Sequence, residues 1–270
     1  MPMLEKTIHK WLAIFGILLV TTACAHRPPA HDLEAVAEYE RANDPFEPFN
    51  RVVFQANLIG DKFILRPVVK TYNNAVPKPV RNGVSNVVAN LLEPWTFINQ
   101  GLQAKPKGAG ETLGRFLINS TIGILGIFDV ATDIGLEKAD EDFGQTLAVW
   151  GVGEGPYLML PFFGPSNPRD TVGLAAEFFF DPMGFVIDEA DVKKDFFLGF
   201  DAETYIHFAI EQFDKRARND EVFDELYKAD DPYVLARSAY RQLRIFEVSD
   251  GAIDTSEDEE DMFDEEFEYE

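Results

Sequence analysis

Apolar positions along most of the chain recur at helical spacing. Phe49, Val52, Val53, Ala56, Ile59 and Phe63 fall on one face over about four turns and predict an ordinary core helix. Just ahead of them, Asp44 suits a helix N-cap, Pro45 the first helical position and Glu47 the capping-box spacing, with Pro48 as a competing start. Pro67, Pro77 and Pro79 punctuate the next segment. Val80, Val84, Val87, Val88, Leu91 and Leu92 form a second apolar face, which Glu93-Pro94 kinks or ends before residues 95–102 resume the pattern. Further on, Asn167-Pro168-Arg169-Asp170, Asp181-Pro182 and Asp231-Pro232 mark helix starts, and residues 204–217, 221–228 and 233–246 read as three polar-faced helices. Strand alternation is almost absent, so the pattern predicts an all-α fold with long irregular insertions.

The largest insertion, residues 143–168 (FGQTLAVWGVGEGPYLMLPFFGPSNP), is apolar and aromatic yet reads as irregular throughout. Five glycines and four prolines interrupt it, and Glu154 is its one charge. Irregular backbone beside Trp150, Tyr157, Phe162 and Phe163 suits either a packed core loop or the wall of an apolar cavity. Residues 116–128 (FLINSTIGILGIF) are too short to span a bilayer, which needs about 20 apolar residues. Buried core, the routine outcome, and shallow insertion into a leaflet both stay open.

Targeting is written at the N-terminus. Lys6 and Lys10 precede or border the uncharged run WLAIFGILLV at residues 11–20, a signal-peptide pattern. Thr21-Thr22-Ala23-Cys24 then resembles a bacterial lipoprotein processing site, although Thr21 stands where such sites usually carry Leu. Cys24 is the single cysteine among 270 residues, so it has no internal disulfide partner, and lipidation accounts for it. Acyl chains contribute about 0.8 kcal/mol per buried CH₂, enough for firm anchoring with three chains. Ala25, rather than Asp, follows the cysteine and points to the outer membrane. Residues 1–23 are thus the leader and residues 24–42 the lipidated N-terminus and tether.

Charge narrows the partners. The net charge is −23; removing the leader's net +1 leaves −24, and the twelve acids of residues 250–270 leave about −12 on the body. Such a surface repels nucleic acid and anionic headgroups alike. Residues 249–270 read as a disordered acidic tail, a solubilising segment whose interleaved Met262, Phe263, Phe267 and Tyr269 offer a second use, docking to a basic partner. Enzyme chemistry has little to work with: after processing only His26, His31 and His207 remain, and Asp44, Glu47, Asp170 and Asp181 have capping roles. No metal or cofactor is expected. The segment GAGETLG at residues 108–114 has the wrong glycine spacing for a dinucleotide loop, and no strand precedes it.

A set of motifs then carries a resemblance. Asn43-Asp44-Pro45 through Phe49-Asn50-Arg51, Arg66-Pro67, Arg81-Asn82-Gly83, Glu93-Pro94, Arg115-Phe116 to Gly123, Asp142 to Leu147, Gly151-Val152-Gly153 to Tyr157, Leu160-Pro161, Gly164-Pro165-Ser166, Arg169-Asp170 and Asp231-Pro232-Tyr233 resemble the MlaA/VacJ family of outer-membrane lipoproteins, in order over residues 43–240. The resemblance implies a helical domain over residues 43–248: a ring-shaped bundle of amphipathic helices seated in one membrane leaflet and crossed by an amphipathic channel. It implies a non-enzymatic role, removing phospholipids misplaced in the outer leaflet and passing them to a soluble periplasmic carrier of the Mla type, with trimeric porins as neighbours. Candidate channel or gate residues are Phe49, Asn50, Gly151, Gly153, Tyr157, Phe162 and Phe163. Asn43, Asp44, Pro45, Arg51, Glu93, Pro94, Arg169 and Asp170 form the candidate structural motif. The competing expectation is an accessory lipoprotein that braces porins or surface export and conducts no lipid.

Overall fold

The computed structural model describes residues 42–179 and 202–251; the leader, Cys24, the tether, Asp181-Pro182 and most of the acidic tail lie outside them. Helix α1, Glu47–Gly60, carries Pro48 in its first turn. It continues without a break through a π-helical turn, Asp61–Leu65, into α2, Arg66–Ala75. The wider turn sits directly ahead of Pro67, whose ring would crowd the carbonyl four residues back in a tighter helix. Pro67 therefore does not end the helix.

Helix α3, Lys78–Leu102, continues past Pro94, so Glu93-Pro94 does not end it as one sequence reading allowed. Its last turn closes with Lys105 N–H donating to the Gln100 carbonyl at 2.9 Å, and Ala104 takes a positive φ of 58°. The chain thereby reverses into α4, Pro106–Thr121, which contains residues 108–114 within a helix rather than a loop. The α3–α4 pair is zipped by polar side chains: Asn90 Nδ2 to Ser120 Oγ at 2.9 Å, Arg115 Nε to Glu93 Oε1 at 2.9 Å, and Thr112 Oγ1 to Gln100 Oε1 at 2.8 Å. As the α3 number rises the α4 number falls, which is an antiparallel hairpin. Short α5, Val130–Asp133, is capped by Asp129, and α6, Phe143–Val149, by Asp142, which accepts from Gln145 N–H at 2.8 Å.

The central insertion is more regular than its glycines and prolines suggested. Besides α6 it holds an antiparallel hairpin, β1 (Leu158–Leu160) with β2 (Gly164–Ser166), in the register Leu158 to Ser166, Met159 to Pro165 and Leu160 to Gly164. The prolines flank or edge these three-residue strands, where no ladder donor is needed. Helix α7, Pro168–Phe179, opens as expected, with Asn167 Oδ1 accepting from Asp170 N–H at 2.8 Å. The C-terminal helices α8 (Ala202–Arg218), α9 (Asp220–Leu226) and α10 (Pro232–Val248) match the three expected segments, and Asp231 caps α10 through the Tyr233 and Val234 amides.

Burial corrects one further expectation and narrows one reading left open. The apolar face of α1 is not a core face: Val52, Ile59 and Phe63 are exposed, while Asn50, Val53 and Phe54 are buried. Residues 116–128 are not core either, since Leu117, Ile122, Ile124, Leu125 and Phe128 all face outward around the turn that follows α4. Among the described residues a compact apolar cluster joins α1, β1 and α10 through Val53, Phe54, Tyr157, Met159 and Tyr233.

Candidate functional site

Burial here is inverted relative to a water-soluble domain. Among the described residues nine buried side chains are apolar against twenty that are polar or charged, so hydrogen bonds and ion pairs organise the interior. Large apolar side chains point outward from α1, the π turn, α2, α3, α4, the 122–128 turn and α10. Exposed apolar surface on this scale marks contact with lipid or protein. No described helix is long and apolar enough to cross a membrane.

Among the described residues several polar nodes hold the helices together, and three of them contain candidate residues. At the first, Asp44 accepts from Asn50 Nδ2 at 2.8 Å, from Arg237 Nη1 at 2.9 Å and from the Tyr233 hydroxyl. These partners take Asp44 away from capping α1, whose N-terminus has no side-chain cap, and Glu47 instead binds Arg51 and Arg237. Asn50 is fully buried and saturated: its Nδ2 also donates to the Tyr157 carbonyl at 3.1 Å, and its Oδ1 accepts from Met159 N–H at 2.9 Å. One asparagine thus completes the edge of β1 from within α1. Arg51 makes a bidentate pair with Asp231, at 3.1 and 2.8 Å, and lies over the Tyr233 ring at 4.5 Å.

Arg244 forms the second node. It contacts both oxygens of Asp142 at 2.6 and 2.7 Å and both oxygens of Asp170 at 2.7 and 2.9 Å, linking α10 to the starts of α6 and α7. Burial opposes ionisation of both carboxyls, but the Arg244 guanidinium outweighs it and holds them below the usual carboxylate range. Arg169 and the Tyr240 hydroxyl complete Asp170, at 3.0 and 2.6 Å, and burial beside this carboxylate pushes the tyrosine's ionisation well up. Glycine is required where α6 meets α7: a Cβ on Gly173 would lie 2.5 Å from Gly144 N, and one on Gly144 would lie 2.5 Å from Arg244 Nη2. Close by, Glu177 accepts from Trp95 Nε1 at 3.1 Å. Burial, with the negative charges of Asp142 and Glu211, pushes its carboxyl up to about 7.

Arg115 is the third node, 1% exposed in the middle of α4. Its guanidinium donates to Glu93 at 2.9 Å, to both Asp129 oxygens at 3.2 Å, to Thr132 Oγ1 at 3.0 Å and to the Leu136 carbonyl. Every donor is used, which is the condition for keeping a cation in such a place.

The candidate residues therefore fall into two groups. Asn43, Asp44, Asn50, Arg51, Tyr157, Glu93, Arg169 and Asp170 belong to or border the polar nodes, with Asn43 holding the Gly155 carbonyl and the Tyr157 amide, both at 2.7 Å. Pro45 lies in the turn just ahead of α1, and Pro94 in α3 next to the Glu93–Arg115 pair. Phe49, Gly151, Gly153, Phe162 and Phe163 are surface positions instead; Phe162 is 92% exposed at a positive φ of 67°, and a Cβ at Gly151 or Gly153 meets nothing within 4 Å. Sequence reasoning missed the basic partners, Arg237 and Arg244, and Tyr240 between them. Their signal was present, because Tyr233, Arg237, Tyr240, Arg244 and Glu247 follow one helical stripe. Among the described residues no group of His, Cys, Asp and Glu is placed to hold a metal ion.

Comparison with known proteins places this arrangement. The family model described as MlaA lipoprotein matches residues 42–247. The intermembrane phospholipid transport system lipoprotein MlaA of Haemophilus influenzae is 32% identical over 238 residues, covering 87% of this chain and 88% of its own. The Escherichia coli K12 protein of the same name is 33% identical over 219 residues, 80% of this chain and 82% of its own. An uncharacterised Rickettsia conorii protein is 38% identical over 202 residues, 74% of this chain and 76% of its own. A solved structure from a study of the structural basis for maintenance of bacterial outer membrane lipid asymmetry superposes with a TM-score of 0.63 at 32% identity, covering 76% of this chain and 98% of that one.

Proposed function

The chain belongs to the MlaA lipoprotein family, and from that premise we propose that it is a lipid-anchored outer-membrane protein that removes misplaced phospholipids from the outer leaflet and hands them to a soluble periplasmic carrier. The inverted burial carries this reading. A protein whose helices turn apolar faces outward, and which lacks a spanning helix among its described residues, is suited to lie within one leaflet, with its ion pairs shielded from lipid. The periplasmic-facing leaflet is the side on which a periplasmic carrier has access. Anchoring is through Cys24. Trimeric porins are the neighbours proposed to keep the protein at the bilayer.

In this mechanism the polar nodes are a rigid frame and do no chemistry. Lipid moves past the surface group, Phe49, Gly151, Gly153, Phe162 and Phe163, whose glycines leave room for an acyl chain and whose aromatics supply an apolar wall. Nothing in this passage requires a bond to be made or broken, and the named relatives are transport proteins. The negative surface limits trapping of anionic headgroups on the way.

The path is tested by Gly153→Trp and Phe162→Asp, both at exposed positions. Each variant is expected to accumulate and insert as wild type does while outer-leaflet phospholipid rises. Wild-type lipid distribution in both stable variants would remove this surface from the path.

A further inference from the structure

Two asparagines of α1 grip the β1–β2 hairpin. Asn50, already met in the first polar node, spans the edge of β1 by taking the Tyr157 carbonyl and the Met159 amide. Seven residues further along the helix, Asn57 repeats the arrangement: its Nδ2 donates to the Leu160 carbonyl at 2.9 Å, and its Oδ1 accepts from Phe162 N–H at 2.9 Å. A carboxamide offers N–H and C=O much as a backbone peptide group does, so each asparagine stands in for a residue of a neighbouring strand. The spacing allows it, because seven helical residues advance about 10 Å and three extended residues about as far.

The second grip falls on the turn itself. Pro161, which has no N–H, stands between the two groups that Asn57 holds. Phe162 follows at a φ of 67°, a left-handed conformation that a side chain with a Cβ adopts at a cost, and its ring is 92% exposed. Phe163 instead turns back to the body and packs on Phe208 of α8, with ring centroids 4.8 Å apart. Two adjacent aromatics are thereby sent in opposite directions. Such a backbone persists where its surroundings over-determine it, and here Asn57, the hairpin register and the Phe163 ring do so together. A ring so exposed adds little to the packing of the hairpin. Its strained placement therefore serves a contact outside the body.

We propose that Asn57 is a positioning residue of the lipid path: by fixing the Phe162 amide it holds that ring out from the body, where it meets the acyl chain of a passing phospholipid. This rests on the reading of Phe162 as part of the path. Without the carboxamide the 161–163 turn loses its hold on α1. Phe162 then relaxes toward negative φ, which carries the ring away from its outward position.

The test has two readouts on the full chain: hydrogen exchange of single amides in nanodiscs of phosphatidylethanolamine and phosphatidylglycerol, and outer-leaflet phospholipid in cells carrying the same variants. Asn57→Ala is expected to speed exchange at Phe162 about fivefold, as the loss of one hydrogen bond does, while the Met159 amide, held by Asn50, exchanges as in wild type. In cells it is expected to raise outer-leaflet phospholipid to the level reached by Phe162→Gly, which keeps the positive φ and removes the ring. Combining the two substitutions is expected to raise it no further, whereas a merely structural loss at Asn57 adds to the effect of Phe162→Gly. Asn57→Asp keeps the acceptor for Phe162 and gives up the donor to Leu160, and it carries the test if Asn57→Ala fails to accumulate. It is expected to keep the Phe162 amide protected and the outer leaflet normal; a leaflet that fills while that amide stays protected overturns the proposal. Normal lipid in Asn57→Ala beside a rise in Phe162→Gly, or an additive double variant, overturns the positioning role and leaves the path standing. Normal lipid in Phe162→Gly removes the ring from the path, and the role of Asn57 with it.

Discussion

At the scale of single residues, the molecule rests on buried arginines paired chiefly with carboxylates. Replacing Arg244 by Met removes the shared cation from Asp142 and Asp170 and leaves them to Gln145, Arg169 and Tyr240, an arrangement that costs about 3 kcal/mol, the low end for a broken buried pair, because Asp142 is 35% exposed. The loss depends on pH with a definite sign. With Arg244 in place both folded carboxyls titrate below their unfolded value of about 3.9, so their stabilisation is present above that pH and is lost as pH falls through the folded values. Without Arg244, burial is opposed chiefly by Gln145 at Asp142 and by Tyr240 and Arg169 at Asp170, so both carboxyls titrate higher than in wild type. The gap in urea midpoint between wild type and Arg244→Met is therefore expected to shrink from pH 7 to pH 4.5; a constant gap would place the effect in packing rather than charge. Glu177 behaves oppositely. Its carboxyl, pushed up to about 7 from about 4.3, stabilises the fold at low pH and costs stability as pH rises between those values. Glu177→Gln keeps an acceptor for Trp95 and should gain stability over wild type between pH 5 and pH 7.5, measured by the same midpoints.

At the scale of elements, the three C-terminal helices and the starts at Pro168 and Pro232 were legible, because caps and prolines act locally. What the sequence concealed were competitions with distant partners and the identity of the solvent. Asp44 has the spacing of a cap, yet Tyr233 and Arg237, nearly two hundred positions away, bind it instead. The α1 pattern showed that one face is apolar but not that this face is the exposed one, since periodicity is the same whether a helix borders a core or a lipid. In residues 143–168 glycine and proline hid a hairpin whose strands are three residues each. Of the site, motif residues Asp44, Arg51, Glu93 and Asp170 were legible through resemblance; Arg237 and Arg244 went unnoticed because a polar helical stripe reads as a solvated one. The crossing of α6 over α7 yields a sharp contrast among glycines. Gly173→Ala, facing backbone at 2.5 Å, should cost about 1 to 3 kcal/mol by overpacking, whereas Gly153→Ala in open space should stay within about 0.5 kcal/mol in thermal denaturation.

At the scale of the whole molecule, apolar helix faces outside and ion pairs inside describe a protein stabilised for an environment that is not water on all sides. Net charge adds to this, because a strongly negative surface favours passage over capture of anionic headgroups. In the proposed reading Cys24 tethers this body to one membrane, and no described helix is both long and apolar enough to cross it. The most direct measurement is the phospholipid exposed in the outer leaflet of cells lacking this gene, compared with cells complemented by wild type and by Cys24→Ala. Anchored removal of misplaced lipid predicts a rise that wild type corrects and Cys24→Ala does not. An unchanged outer leaflet in the cells lacking the gene would contradict it and leave a bracing role at the porins.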